Sequence, residues 1–251
     1  MALDLKDKKL TLKVERRFKK AVDTYGLIPR GATVVAAVSG GKDSLCLLEL
    51  LTRDRFRKHL NITVIAVHVV MENIPYHADL EFLQDFCNKR DVKLVVKKTR
   101  FEVKEDSSKS PCYICSWQRR KILYEVAIEH DCNIIALGHH QDDMIETLMM
   151  NMAFQGSICS MPPKLEMDNF DMTMIRPLAL LTNQQMLDYA AMHKFPKMKK
   201  ECPHEEDSFR SDIRAMITKL GELSPQARNN MFASMTNVQS DYLPKERDWK
   251  E

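Results

Sequence analysis

Three places in the chain put side chains capable of chemistry close together. The first is Ser39-Gly40-Gly41-Lys42-Asp43-Ser44. Two adjacent glycines let backbone approach an oxyanion closely, and the hydroxyls and ammonium around them complete a phosphate cradle. The common P-loop is a different pattern. It has a glycine separated by four residues from its Gly-Lys pair and a Ser or Thr directly after the Lys, where this chain has Ala36 and Asp43. The dinucleotide fingerprint would need a further spaced glycine. A tight strand-to-helix turn is the plain alternative, and the Ser, Lys, Asp and Ser grouped around Gly-Gly weigh against it.

The second place is Gly138-His139-His140-Gln141-Asp142-Asp143, with Glu146 three residues on. On a helix beginning here, His139, Asp143 and Glu146 fall at i, i+4 and i+7 of one face. Asp143 to Glu146 also fits the D-x-x-E start of a helix, with Asp143 as cap. Capping alone does not ask for two histidines and a second aspartate.

The third place is Cys112-Tyr-Ile-Cys115, followed by Arg119, Arg120 and Lys121. Such a pair serves as a redox dithiol, as half of a zinc site or as part of an iron–sulfur cluster. Zinc takes four ligands, and Cys202 with His204 in "KKECPHEED" would complete a three-Cys, one-His set. A thioredoxin-like dithiol fits less well, because the pair does not open the first helix of a βαβ unit with the usual neighbours. Three cysteines alone would leave an iron–sulfur cubane with one iron free of protein thiolate, a place to bind sulfur. Arg119 and Arg120 would face a cluster or an adenylated substrate, both anionic, and Lys121 reads as part of a solvated face. Cys46, Cys87, Cys132 and Cys159 stand singly in apolar or helical contexts and are expected as small buried hydrophobes.

The elements that must position these groups alternate. "TVVAAVS", "ITVIAVHVV", "VKLVVKK" and "NIIALG" are short apolar, β-branched runs that read as buried parallel strands. Between them "DSLCLLELLTRDRF", "HADLEFLQDFCNKR" and "WQRRKILYEVAIEH" carry apolar residues at helical spacing, and the cysteine pair is read as a loop ahead of the last of these. The fourth strand leads into "HHQDDMIETLMMNMAF". This alternation predicts βαβ units, an α/β fold and a parallel sheet. Both the glycine loop and the His-Asp cluster then follow strands, at the edge where such sheets bind ligands. Past residue 156 the pattern loosens to a loop, a short extended pair, the helix "TNQQMLDYAAMHKF" capped by Thr182 or Asn183, and a loop running into a further helix.

A chain of 251 residues is long enough for a substantial core. Its 44% hydrophobic and 29% charged residues are ordinary for a globular protein, and 7 Gly with 10 Pro argue against long disordered linkers. The first residues, "MALDLKDKKL", hold charges where a signal peptide needs an apolar core, and no run of about 18 apolar residues suggests a membrane span. Seven cysteines without an export signal then point to a reducing cytoplasm. Of the net charge of +3, residues 1–20 contribute +5, so the remainder carries −2. That basic segment suits either a polyanion or a solvated amphipathic helix. The expected organisation is a basic helical arm over residues 1–30, a nucleotide-binding α/β domain over 31–180 and a helical extension over 181–251.

"SGGKDS" resembles the signature of the PP-loop ATP pyrophosphatases, which cleave ATP between the α- and β-phosphates and hand AMP to a carbonyl oxygen. The resemblance implies a Rossmann-like fold of the adenine nucleotide alpha-hydrolase type. It also implies phosphate binding by Ser39, Gly40, Gly41, Lys42 and Ser44, Mg²⁺ held by Asp43 and Asp143, and nucleotide contact by His139. "GHHQDDMIETL", "GSICSMPPKL" and "MIRPLALL", with the cysteines, are similar to the tRNA 2-thiocytidine synthetase family over about residues 25–240. In that family three cysteines hold a 4Fe-4S cluster, and O2 of an anticodon-loop cytidine, cytidine-32, is replaced by sulfur. Cys112 and Cys115 map directly; some members carry a second late C-x-x-C where this chain has only Cys202. The resemblance further implies ATP as co-substrate, Arg119 on the adenylate, the tRNA anticodon stem-loop as substrate, a cysteine desulfurase as sulfur donor and a homodimer. Lysidine synthetases and uridine thiolases share parts of the pattern. A non-catalytic nucleotide- and cluster-binding sensor is the reading from another class.

Overall fold

A computed structural model describes residues 4–75, 78–102, 110–167, 170–198 and 209–243. In chain order it runs α1 (Leu5–Thr24), β1 (Thr33–Ala37), α2 (Lys42–Thr52), α3 (Asp54–Leu60), β2 (Thr63–Met71), α4 (Leu80–Asn88), β3 (Lys93–Thr99), α5 (Pro111–Glu129) and β4 (Ile134–Ala136). It continues with α6 (Gln141–Gln155), β5 (Lys164–Glu166), β6 (Thr173–Ile175), α7 (Asn183–Met192), α8 (Arg210–Leu223) and α9 (Ala227–Ser234), then a short 3-10 turn.

The sheet has six strands in the order β3-β2-β1-β4-β6-β5. All neighbours are parallel except the β5–β6 hairpin, the short extended pair expected from sequence. β1 lies between β2 and β4, with Ala36 opposite both Ala66 and Ala136. Strand order reverses there, and the carboxyl ends of β1 and β4 flank the crevice that such a reversal opens.

Strand alternation sorts the core into two faces. Val34, Ala36, Val64, Ala66, Ile134, Ala136 and Ile175 pack toward residues of α1, α2, α4 and α7. Val35, Ile65, Val67, Ile135 and Met174 pack toward Leu123, Val126 and Ala127 of α5. The basic helix α1 joins the first of these layers. It buries Val14, Phe18, Ala21 and Val22, and Arg17 Nη1 donates to Leu180 O at 3.1 Å. Its cations Lys9, Lys13, Arg16 and Lys20 stay exposed.

Two local features differ from the sequence reading. The helix read as "DSLCLLELLTRDRF" breaks at Arg53, whose backbone is extended (φ −55°, ψ 123°). Its guanidinium bonds the Tyr189 hydroxyl at 3.0 Å and sits 3.4 Å from both Glu15 and Glu49. The cysteine pair lies inside α5 rather than in a loop before it: Ser110 caps the helix by accepting from Tyr113 N, and Pro111 stands first, a position that needs no N–H donor.

The chain divides into two compact units, Met1–Asp143 with Pro162–Ser208, and Met144–Met161 with Phe209–Glu251. The second has its own small core of Ile145, Ile213 and Ile217, with Met149, Met150, Met231 and Phe232 against it. No helix among the described residues is long and apolar enough to cross a membrane.

Candidate active site

β1 delivers Ser39 to Ser44 to the crevice. Gly40 adopts φ +87°, and a Cβ there would lie 2.9 Å from Ala78 Cβ and 2.9 Å from Met198 Sδ. Only glycine meets both conditions. Gly41 is the N-cap of α2, and no side chain of the described residues caps that helix, so its first N–H groups are directed at the loop. Ser39 Oγ accepts from Gly41 N at 3.3 Å and donates to Ser44 Oγ, while Ser44 Oγ donates to Gly41 O at 2.8 Å. The hydroxyls thus hold the turn in shape. Lys42 Nζ lies 2.8 Å from both carboxylate oxygens of its neighbour Asp43. Backbone donors, an ammonium and a positive helix end are the groups from which anion sites are built, and here the ammonium is paired with Asp43.

β4 brings the second cluster to the same edge. α6 begins at Gln141, so His139 precedes the helix instead of sharing a face with Asp143 and Glu146. Asp143 is not the cap either. It stands third in the helix and accepts from His140 N at 2.9 Å, the returning half of a capping arrangement one turn earlier than the sequence suggested. Glu146 lies in the second unit, 3% exposed, in a two-point bond to Arg214 at 2.7 and 3.1 Å. His140 is buried, with Nδ1 3.3 Å from Asp143 Oδ2 and Nε2 3.8 Å from Asp43 Oδ1. Two carboxylates, one from each side of the reversal point, therefore converge on one imidazole. Carboxylate oxygens are ligands of the type Mg²⁺ takes, but among the described residues no group of three or more His, Cys, Asp or Glu is placed to hold a metal ion.

Sequence reading assigned no role to Gly138, yet it governs this convergence. A Cβ there would sit 3.1 Å from Asp43 C and Ser44 N, so a side chain would push the exit of β4 away from the start of α2. A glycine directly after a strand was the available signal, but it reads equally well as a turn.

Cys112 is exposed and Cys115 half-buried in the first turn of α5. At i and i+3 their thiols share one side of the helix, near its positive end, a setting that suits thiolate ligands. Cys115 packs against a small apolar cluster of Met71, Ile74 and Phe101. The connection from β2 to α4 thus touches the cysteine region through Ile74 and the glycine loop through Ala78. Arg119, one turn further along α5, buries its Nε without a hydrogen-bond partner among the described residues, whereas Lys121 is exposed beside Glu125 at 3.9 Å. Cys202 and His204 lie outside the described residues.

The remaining thiols divide. Cys46, Cys87 and Cys132 are buried, and burial pushes all three thiols up, Cys87 to about 11. Such sulfurs are inert core. Cys159, expected in that group, is exposed, with Asn151 Nδ2 3.2 Å and Ser157 Oγ 3.4 Å from its sulfur. Its apolar neighbours in sequence gave the wrong impression, because a loop and not a core strand carries it.

Comparison with known proteins agrees with this layout. The PP-loop domain family matches residues 10–220. A tRNA-cytidine(32) 2-sulfurtransferase of Francisella tularensis subsp. novicida is 33% identical over 248 residues, covering 95% of this chain and 91% of that protein. The chain belongs to the tRNA-cytidine(32) 2-sulfurtransferase family. Another relative of that name, from Hahella chejuensis, is 34% identical over 94% of this chain and 84% of its own length. Among solved structures, the U34-tRNA thiolase NcsA from Methanococcus maripaludis, described with its 4Fe-4S cluster, shares the fold. Its TM-score is 0.72 at 24% identity, over 96% of this chain and 82% of that one. For a tRNA-cytidine(32) 2-sulfurtransferase, the described residues supply two of the three thiols a cluster would take, and Cys202 lies outside them. Cys112 and Cys115 lie one helical turn apart, Cys115 against an apolar wall and Cys112 exposed, and three of the other thiols are sealed in the core.

Proposed function

We propose that the chain thiolates cytidine-32 of tRNA, spending ATP as AMP and pyrophosphate to do so. One observation carries the reading: Asp43 and Asp143 meet at His140 beneath a glycine loop whose backbone donors face the same crevice.

The chemistry asks for this arrangement. A pyrimidine C2 carbonyl is a weak electrophile with no good leaving group. Attack of O2 on the α-phosphate of ATP forms an O–P bond, releases pyrophosphate and turns O2 into the leaving oxygen of AMP. Charge then grows on the departing pyrophosphate, where the backbone of Gly40 and Gly41, the N-terminus of α2 and Lys42 would receive it. Asp43 and Asp143 would hold Mg²⁺, which would supply charge neutralisation, with His140 between the two carboxylates. Arg119, whose inward Nε has no protein acceptor among the described residues, would steady the α-phosphate of the adenylate. His139 and the Ser39 and Ser44 hydroxyls would orient nucleotide and loop.

Cys112, Cys115 and Cys202 would hold a 4Fe-4S cluster, and the chemistry such a group would supply is the activation of sulfur. Unpaired loop bases can be splayed out of their stack for recognition by a protein. The exposed cations Lys9, Lys13, Arg16 and Lys20 of α1 suit the tRNA backbone, and support treating this helix as an RNA-binding arm of a central PP-loop domain. Sulfur is supplied from cysteine by a desulfurase in the cytoplasm, and the enzyme works as a homodimer.

The test is reconstitution. Anaerobically prepared protein with ATP, Mg²⁺, a sulfide source and unmodified tRNA transcript should yield 2-thiocytidine together with AMP and pyrophosphate. Release of ADP, or lysidine or thiouridine as the product, would refute the proposal.

A further inference from the structure

β6 ends at Ile175, and Arg176 extends its ladder by one step, donating from its backbone N to Pro163 O at 2.8 Å. The Arg176 side chain is only 5% exposed. Its Nη1 donates to Pro162 O, yet its Nε is buried without a hydrogen-bond partner among the described residues. No carboxylate among those residues pairs with it. A buried guanidinium in that state is costly unless an anion completes it. Burial, and secondly repulsion from Arg120, pull it down to about 10, so it still carries its charge at neutral pH.

The packing explains why Arg120 is there. Met174 faces α5 from β6, and Tyr124 Oη of α5 donates to Met174 Sδ at 3.4 Å. Two residues on along β6, on the same side by strand alternation, is Arg176; one turn back along α5 is Arg120. The Nε of Arg120 donates to Ser116 O at 3.3 Å, and no described acid neutralises it. Two guanidiniums have been brought together with no counter-charge between them. Planar forks of this kind match phosphate oxygens.

We propose that Arg176 and Arg120 form a phosphate site that grips the backbone of the substrate RNA next to the nucleotide being modified. The inference rests on the thiolation reading above. Position favours RNA over ATP: β6 stands two strands from β1, about 10 Å along the sheet edge from the glycine loop. The first turns of α5 also expose Tyr113 and Trp117, 45% and 51%, on the approach to Arg120. Exposed aromatic faces beside arginines are what an unpaired strand uses for stacking.

The experiment measures binding of an unmodified tRNA transcript to the anaerobically prepared full chain across a salt series. Wild type, Arg120→Gln, Arg176→Lys, Arg176→Gln and the double Gln variant are compared, with ATP binding measured separately without RNA. Each single Gln variant should weaken tRNA roughly tenfold to a hundredfold and flatten the salt dependence by about one ion. Arg176→Lys, keeping charge but losing the fork, should fall between. The double variant should lose less than the product of the singles, because both arginines grip one phosphate. ATP affinity should not change. Should Arg176→Gln fail to fold, Arg120→Gln on the helix surface decides alone. A folded Arg120→Gln protein that binds tRNA like wild type overturns the proposal. Weakened ATP binding without RNA overturns it by assigning the site to the nucleotide. Wild type that does not bind tRNA removes the thiolation reading and this inference together.

Discussion

Replacing Gly40 and Gly41 separately by alanine should give unequal results, although the two are neighbours in one motif. At Gly40 an L side chain must adopt φ +87°, which costs about 1–2 kcal/mol. Its Cβ would also lie 2.9 Å from Ala78 Cβ and from Met198 Sδ, inside the ~3.5 Å of an ordinary carbon contact. The thioether can swing aside but Ala78 cannot, adding about 1–3 kcal/mol of overpacking. A stiffer unfolded chain offsets up to about 1 kcal/mol, leaving a net loss of about 1–5 kcal/mol. Gly41 has φ −71° and nothing nearer than Ser39 Oγ at 3.5 Å, so Gly41→Ala should stay within about 1 kcal/mol of wild type. Thermal unfolding followed by circular dichroism reads the difference. At about 2–4 °C per kcal/mol for a chain this size, Gly40→Ala should melt about 2–20 °C lower. Met198→Ala in that background should recover part of the loss. Equal melting of the two glycine variants would refute the loop geometry and the phosphate site built on it.

Asp43→Ala should abolish release of AMP and pyrophosphate while leaving the fold intact; turnover at the wild-type rate would remove Asp43 from the chemistry. Cys112→Ala, Cys115→Ala and Cys202→Ala should each lose iron on anaerobic reconstitution, and an unchanged iron content in Cys202→Ala would mean that another ligand closes the cluster. Glu146→Gln should cost about 1–3 kcal/mol by chemical denaturation, because it leaves Arg214 without its two-point acceptor at a partly exposed site; no change would show that bond to be decorative. His193 is held below its ordinary value of 6.5, first by burial, with Arg53 and Arg90 adding to the effect. The unfolded chain therefore takes up that proton more readily, so stability should be full above 6.5 and fall as pH drops through that value toward the folded pKa. His193→Gln should flatten this part of the pH–stability curve, and a curve identical to wild type would contradict the assignment.

The strands were legible because buried parallel strands are short, unbroken apolar runs, and β1, β2, β3 and β4 lie where those runs stand. The glycine loop and the His-Asp cluster followed, since a sheet of this kind presents whatever comes after its strands. What escaped depended on partners distant in sequence. Arg53 leaves its helix to meet Tyr189, 136 residues away, and no local pattern records that. Asp143 looked like a cap because D-x-x-E is a cap signature, but the true start lay one turn earlier and Glu146 was taken by Arg214. Ser110-Pro111, a cap followed by a proline at the first helical position, marks the start of α5 in the sequence, although the cysteine pair reads as a loop. Gly138 and Arg176 were invisible for the same reason: close approach and burial are properties of the packed sheet, and the chain beside them carries no mark of either.

The central claim is that this chain installs sulfur on a tRNA cytidine. Mass spectrometry of nucleosides from total tRNA of a strain lacking the gene tests it most directly. The account predicts that 2-thiocytidine disappears, returns when the wild-type chain is restored, and stays absent when Asp43→Ala is supplied instead. An unaltered 2-thiocytidine level in the deletion strain, or loss of a different modified nucleoside in its place, would contradict it.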